Sequence, residues 1–260
     1  MGRPRARVPA GAAARCAAVI AVAGLLLTGC LPIQRADAAE YFDDPATVEL
    51  LEAADRGDAD RIAELRAEGA DIEEPANDHD PRRANIPPLW YAAEFMGPEA
   101  VTALLDAGAD PARRGNDGYN AVGYSILRDK PGSVQAILDW DPALADAPDR
   151  LGANALYTAA HLGRADSAEL LLDAGADIDS RTTTGGHTPL FAASMTQNVD
   201  MCLWLVRNGA DAGIRDATGH TFLSPLFDAD DATRSRDFLS AREELVRELR
   251  ERGFPVETGR

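Results

Sequence analysis

The stretch NALYTAAHLGRADSAELLLDAGADID, residues 154–179, predicts two short helices joined by a tight turn. Residues 155–161 are suited to a first helix, which Gly163 ends. Residues 165–173 form a second helix, where alanine and leucine recur at the i, i+3, i+4 spacing of one helix face. Gly175 follows where a helix C terminus favours a left-handed backbone, which glycine adopts without a Cβ clash. A unit this small cannot bury its apolar face alone, so the fold depends on whether the unit recurs.

The same unit recurs along most of the chain. The unit closes with the triplet Gly-Ala-Asp, which begins at positions 69, 108, 175 and 209. We call such a unit end a stop, and Asp141-Pro142 is a degenerate stop between the second and third copies of the triplet. After a longer first interval, the stops recur at a period of about 33 residues, and a sixth unit ends at Gly253. Such a period predicts five or six stacked repeats that share one continuous core.

This pattern resembles the ankyrin-repeat family. The sequence TPLFAA at residues 188–193 closely matches the opening of the family's first helix, and PPLWYAA at residues 87–93 matches it less well. The resemblance covers residues 45–255 and leaves residues 256–260 as a C-terminal tail. It implies an all-α ankyrin-repeat solenoid of five to six helix-turn-helix repeats with β-hairpin loops.

Residues 1–29 are typical of a targeting signal. A basic region with four arginines precedes an apolar run at residues 17–27, which is too short for a comfortable membrane span. Leu27-Thr28-Gly29-Cys30 then looks like a bacterial lipobox. That resemblance implies a lipoprotein signal peptide at residues 1–29 and an acyl chain such as palmitate on Cys30. The alternatives are an ordinary secreted protein cut near residues 36–38 and an uncleaved anchor.

Residues 30–44 are predicted to comprise the lipidated cysteine and a flexible tether. The lipid anchor is then the expected contact with a membrane, and it places the protein in the cell envelope. In the lipoprotein resemblance, Leu31 in place of aspartate favours the periplasmic side of the outer membrane. In a cell with a single membrane, the extracellular face is expected instead.

The chain is strongly acidic. The sequence contains 43 acidic and 26 basic residues, a formal net charge of −17. Without residues 1–29, which carry four arginines and no acid, the charge of the remainder is −21. Such a surface disfavours nucleic acid and anionic membranes and attracts basic partners. The alternative is that the acidity serves only solubility.

The sequence carries little that indicates catalysis. No metalloprotease, serine-hydrolase, phosphate-loop or paired-cysteine motif is present. Residues 78–80, Asp-His-Asp, fit a metal ligand set less well than a solvated loop. His187 and His220 occupy equivalent positions one repeat apart, where a metal pair is one interpretation and partner contact or plain surface the other. Cys202 is expected to be a buried, inert thiol. We therefore expect no enzyme, cofactor or metal.

The ankyrin resemblance implies contact residues at the hairpin tips and at the exposed ends of the first helices. Carried onto this chain, these are Glu94, Phe95, Asn116, Asp117, Tyr119, Arg128, Arg150, His161, His187, Met195 and His220. Phe95, Tyr119 and Met195 are the predicted apolar anchors, and Arg128 and Arg150 are the polar ones.

The predicted function is a non-catalytic protein-binding module tethered to the bacterial cell envelope. It is expected to be a monomer that binds a basic protein partner and no nucleic acid. The alternative is an immunity protein that neutralises a delivered antibacterial toxin, and an enzyme is a remote alternative.

Overall fold

The computed structural model describes residues 37–77, 85–228 and 231–256, and these ranges contain helices but no strand. One isolated antiparallel bridge joins Arg215 to Thr221. The all-α prediction is confirmed, while the expected β-hairpins are tight turns that show this single bridge in the described ranges. The predicted signal peptide, Cys30 and the loop at residues 78–80 lie outside the described residues.

Five consecutive helix pairs follow one another along the described chain, and a short and a long helix complete it. The pairs are α1 Pro45–Asp55 with α2 Ala59–Glu68, α3 Pro88–Phe95 with α4 Pro98–Asp106, α5 Ala121–Leu127 with α6 Pro131–Trp140, α7 Ala155–Leu162 with α8 Ala165–Asp173, and α9 Pro189–Met195 with α10 Val199–Arg207. The last two helices are α11 Ser224–Phe227 and α12 Arg236–Glu251.

The turn inside a helix pair requires one residue with a left-handed backbone. Gly57 and Gly163 supply it in the first and fourth repeats, with φ of 66° and 68°. Asp129 and Gln197 adopt the same conformation in the third and fifth repeats, with φ of 59° and 60°. Prolines at the first position of five of the ten paired helices fix their starts, because proline has a helical φ and needs no amide partner there.

The pairs stack into two layers. The first helices α1, α3, α5, α7 and α9 form an inner layer in which neighbours pack on each other. In the outer layer, α4 packs on α6 and α6 packs on α8. Leu51, Leu104, Ile137, Leu156 and Leu205 are fully buried between the layers, so one continuous core runs through all five repeats.

The N-terminal end of the stack is closed by residues predicted to be a flexible tether. Residues 38–40 form a 3-10 helix, and Tyr41 and Phe42 after it are only 2% and 1% exposed. Their rings lie 5.0 and 5.7 Å from the ring of Tyr91 on α3, measured between centroids. The prediction of a tether extending to residue 44 is therefore wrong for residues 37–44, because burying two aromatic rings offsets the entropy of ordering the segment.

The C-terminal end is closed by α12, which packs on α10. Arg242 of α12 is buried and donates hydrogen bonds to the carbonyl of Leu226 at 3.0 Å and to Asp231 at 2.8 Å. Its guanidinium also lies 4.3 Å from the centroid of the Phe227 ring. This one side chain ties α11 and the acidic segment after it to the last helix. No helix in the described ranges is both long enough and apolar enough to cross a bilayer.

Candidate protein-binding surface

The last turns of the inner helices present equivalent residues in repeats two to five. We call these eight residues the inner-helix stripe: Glu94, Phe95, Leu127, Arg128, His161, Leu162, Met195 and Thr196. Because neighbouring inner helices pack on each other, equivalent stripe residues lie side by side. The repeat period thus builds one elongated surface from short helix ends that are far apart in sequence.

The end of the stripe in repeats two and three is a polar network. The Glu94 carboxylate accepts a hydrogen bond from the Tyr124 hydroxyl and forms an ion pair with Arg128, whose Nε lies 3.1 Å from Glu94 Oε2. The Arg128 guanidinium lies 5.0 Å from the Tyr124 ring centroid, and Trp90 stacks on the same ring at 4.5 Å. Burial and the hydrogen bond to Glu94 raise the pKa of Tyr124, so the hydroxyl stays protonated and donates. Arg128 is therefore held in place before any partner arrives.

The two predicted aromatic anchors are more covered than the sequence suggested. Phe95 is half-buried, because its ring lies 5.4 Å from Tyr41 and 5.0 Å from Tyr91. Tyr119 is also half-buried and packs over Gly123, where an added Cβ would meet Tyr119 Cδ1 at 2.8 Å. Each ring therefore shares its surface between packing inside the solenoid and solvent.

The apolar part of the surface lies instead in repeats four and five. Met195 is 49% exposed and Leu162 is 37% exposed, on adjacent inner helices. Leu151, at the turn before α7, is 39% exposed, and its carbonyl accepts hydrogen bonds from the amide and hydroxyl of Thr183. His161 adds an exposed imidazole beside them. Leu162 was absent from the predicted set, although the period identifies it as the residue one repeat after Arg128.

The predicted tip residues lie on the turns that precede the inner helices. Asn116 and Asp117 are exposed, and Asp117 accepts a hydrogen bond from the amide of Tyr119 at 3.2 Å. Arg150 is exposed at the next tip, and its stem packs over Gly118, where an added Cβ would come within 2.5 Å of Arg150 Cβ. The guanidinium of Arg150 makes no ion pair within the described ranges, so it remains available to a partner.

His187 and His220 converge on the carboxylate of Asp216. His187 stacks on Phe191 and places Nε2 at 3.7 Å from Asp216 Oδ2, while the amide of His220 donates to Asp216 Oδ1 at 2.9 Å. Partial burial acts to raise the pKa of Asp216, but hydrogen bonds from Thr218 and His220 outweigh it and lower the pKa. In the described part of the chain, no group of three His, Cys, Asp or Glu side chains is arranged to hold a metal. The two histidines thus belong to the tip structure.

Cys202 is fully buried on α10, and burial raises the pKa of its thiol. A thiolate is the reactive form of cysteine, so this residue is inert, as predicted.

The predicted contact residues therefore fall into two groups, one at each end of the inner helices. On the inner-helix stripe lie Glu94, Phe95, Arg128, His161 and Met195. On the tips lie Asn116, Asp117, Tyr119, Arg150, His187 and His220.

Comparisons with known proteins agree with the repeat fold. Residues 126–216 match the family model described as ankyrin repeats (3 copies). Protein PhlB of Serratia liquefaciens is 36% identical over 110 residues, covering 42% of this chain and 47% of that protein. The mouse B-cell lymphoma 3 protein homolog is 29% identical over 139 residues, covering 52% of this chain and 31% of that protein. The chain thus spans less than half the length of these relatives.

Among solved structures, the ankyrin repeat domain of Bcl-3 is similar, with a TM-score of 0.61 and 25% identity over 76% of this chain and 85% of that one. Ankyrin repeats are generally non-catalytic scaffolds for protein–protein interaction. Residues 126–216 of this chain are therefore ankyrin repeats, and its described residues form an ankyrin-repeat solenoid.

Proposed function

We propose that the protein is a non-catalytic binding module that holds a partner protein against the inner-helix stripe and the neighbouring tips. The observation that supports this best is the position of Leu151, Leu162 and Met195. Leu162 and Met195 are exposed at the ends of adjacent inner helices, and Leu151 is exposed on the turn before α7. Arg128 ends the preceding inner helix, and Arg150 lies on the same turn as Leu151. An apolar centre with a polar rim is the usual anatomy of a protein interface.

The partner that fits this surface has an apolar patch surrounded by basic residues. The acidic excess of the chain supports this choice, since opposite charges steer the encounter and select the partner. Charge acts mainly on the association rate, whereas the apolar centre determines how long the complex lasts. We therefore expect association to slow as salt shortens the Debye length to ~8 Å at physiological ionic strength.

We further propose that Cys30 carries a lipid that tethers the module to the cell envelope. The lipobox after a short apolar run supports this, and one acyl chain alone gives only marginal binding, so two or more are expected. Cys30→Ser is expected to abolish metabolic palmitate labelling and signal cleavage. Persistent labelling of the Cys30→Ser protein would refute the assignment.

The binding proposal is tested by capturing partners from envelope extracts and measuring their binding kinetics with the purified protein. The double variant Leu162→Glu with Met195→Glu is expected to raise the dissociation rate at least tenfold. Trp140→Glu is the matched control, because Trp140 is 46% exposed but ends an outer helix. Equal effects of the double variant and the control would refute the assignment. A secreted toxin as the captured partner would identify the immunity role, and an assembly component would identify a scaffold.

A further inference from the structure

The outer helices of repeats one and two do not pack closely on each other. α4 packs on α6, and α6 on α8, but the close neighbour of α4 in the first repeat is the inner helix α1. The outer helices α8 and α10 likewise do not pack closely on each other, so a wide spacing of outer helices is not confined to the first repeat. Between α2 and α4 this spacing leaves an open groove of about 570 Å³, the α2–α4 groove.

Small residues keep the α2–α4 groove open. Ile62, which is buried, forms its floor, and alanines from both helices line its walls: Ala59, Ala63, Ala103 and Ala107. The residue equivalent to Ala103 is again alanine in α6, but it is Leu170 in α8 and Trp204 in α10. Repeats four and five thus use large side chains at the position where α4 has a methyl group.

The rim of the groove carries more negative than positive charge. Glu99 and Asp106 line it from α4, and neither forms an ion pair with another described residue. Arg66 lines one end, where its Nη1 donates a hydrogen bond to the carbonyl of Ala107. Residues 37–77 contain fourteen acidic residues and three arginines, whereas residues 231–256 contain six of each. The groove therefore lies at the more acidic end of the described chain.

We propose that the α2–α4 groove binds a basic amphipathic helix of a partner protein. Its walls are helices whose backbone groups are already paired, so it offers side-chain contacts rather than a strand edge. α2 has 10 residues and is about 15 Å long, which matches three turns of a partner helix. Alanine walls allow two helix axes to approach closely, and Glu99 and Asp106 select lysine or arginine beside the partner's apolar stripe.

This surface is distinct from the one used by the proposed function. The groove is formed by outer helices of repeats one and two, while the exposed apolar centre lies on inner helices and a turn in repeats four and five. The protein thus has two independent docking surfaces, as expected of an adaptor that binds two partners rather than of a protein that binds one. Either surface can fail its own test without affecting the other.

The experiment uses a dye-labelled helical peptide, four turns long, of leucine and lysine in an amphipathic pattern, and a twin with glutamate for lysine. Binding to the purified full chain is followed by fluorescence anisotropy in detergent-free buffer at low salt. Ala103→Trp fills the groove with the residue that the chain itself uses at position 204. Ala67→Trp is the matched control on α2, since Ala67 is exposed and does not line the groove.

We expect the basic peptide to bind the wild-type chain at least tenfold more tightly than the acidic peptide. Ala103→Trp is expected to weaken the basic peptide at least tenfold, and Ala67→Trp less than twofold. Glu99→Lys with Asp106→Lys should reverse the preference between the peptides. Thermal unfolding and circular dichroism establish that each variant is folded.

Three outcomes would overturn the proposal. The first is equal binding of the peptide to folded Ala103→Trp and to the wild-type chain, and the second is equal affinity for both peptides. The third is self-association of the full chain in sedimentation experiments that Ala103→Trp abolishes, since a second copy of the chain would then be the occupant.

Discussion

Replacing Arg242 by methionine tests the closure of the solenoid without any knowledge of the partner. Arg242 is 7% exposed, and its fork reaches Leu226, Asp231 and the ring of Phe227 at the same time. Methionine has a similar length and preserves much of the packing, so the substitution removes mainly the polar and cation–π interactions. The same substitution at the exposed Arg250, on the same helix, is the matched control.

The expected magnitude follows from the three contacts. Leaving the buried carbonyl of Leu226 without a donor costs ~1–3 kcal/mol. Loss of the cation–π contact adds ~0.5–1 kcal/mol. The pair with Asp231 contributes less than ~1 kcal/mol because Asp231 is 45% exposed, and the relief of desolvating a buried cation offsets it. The net loss in the free energy of unfolding is therefore about 1–3 kcal/mol.

Urea denaturation of the full chain gives this quantity, and hydrogen exchange locates it. The midpoint of Arg242→Met should fall relative to Arg250→Met, and exchange should rise in α12 before it rises in α7. Arg242→Lys should recover less than half of the loss, because a point charge cannot contact both partners. If Arg242→Met and Arg250→Met unfold at the same urea concentration, then Arg242 does not tie α11 to α12 and the described closure is wrong.

Three further substitutions test other parts of the structure. Gly175→Val should lower the free energy of unfolding by ~1–3 kcal/mol. The φ of Gly175 is 94° and an added Cβ meets no atom within 4 Å, so only backbone strain acts. A wild-type urea midpoint would contradict the helix-end assignment. Tyr124→Phe should cost ~1.5–3 kcal/mol by removing the hydrogen bond to Glu94, and an unchanged midpoint would show that Arg128 alone satisfies that carboxylate. Burial raises the pKa of Asp179, despite a hydrogen bond from the amide of Asp211, and the charges of Asp211 and Asp177 raise it further. The folded state then binds a proton more readily than the unfolded one, so ionised Asp179 costs stability above its folded pKa and the cost disappears as pH falls below its unfolded value. By urea midpoints, Asp179→Asn should therefore be at least as stable as wild type at pH 7, with an advantage that vanishes near pH 3.

The repeat period predicted the helices well because each repeat carries its own signals. Proline at a helix start and glycine at its end act through the local backbone, so they need no knowledge of distant residues. The second helix of the opening stretch was predicted at residues 165–173, where α8 lies. Gln197 shows the limit of such signals: it adopts the left-handed turn conformation because the repeat on either side enforces it, and its sequence does not favour that backbone.

The N-terminal closure could not be predicted from the period, because it depends on contacts between segments of different repeats. Tyr41 and Phe42 stand in a polar, alanine-rich segment, which favoured a flexible tether. Their burial requires the ring of Tyr91, a residue of the second repeat. Two adjacent aromatic residues in an otherwise polar segment were the available signal, since large rings are seldom left in water beside a folded domain.

The same closure explains why the predicted anchors differ in exposure. Equivalent residues of a repeat share a backbone position, so the period could predict which side chains belong to the inner-helix stripe. It could not predict their exposure, which depends on what lies beside each repeat. Phe95 is next to the closing segment and loses exposure to Tyr41, whereas Met195 has no such neighbour among the described residues and is 49% exposed. In a solenoid, therefore, the repeat determines which side chains lie on the surface. The ends and irregularities of the stack determine how exposed each of those side chains is. By that reasoning, Tyr41→Ala should uncover Phe95 and leave the exposure of Met195 unchanged in a crystal structure of the variant.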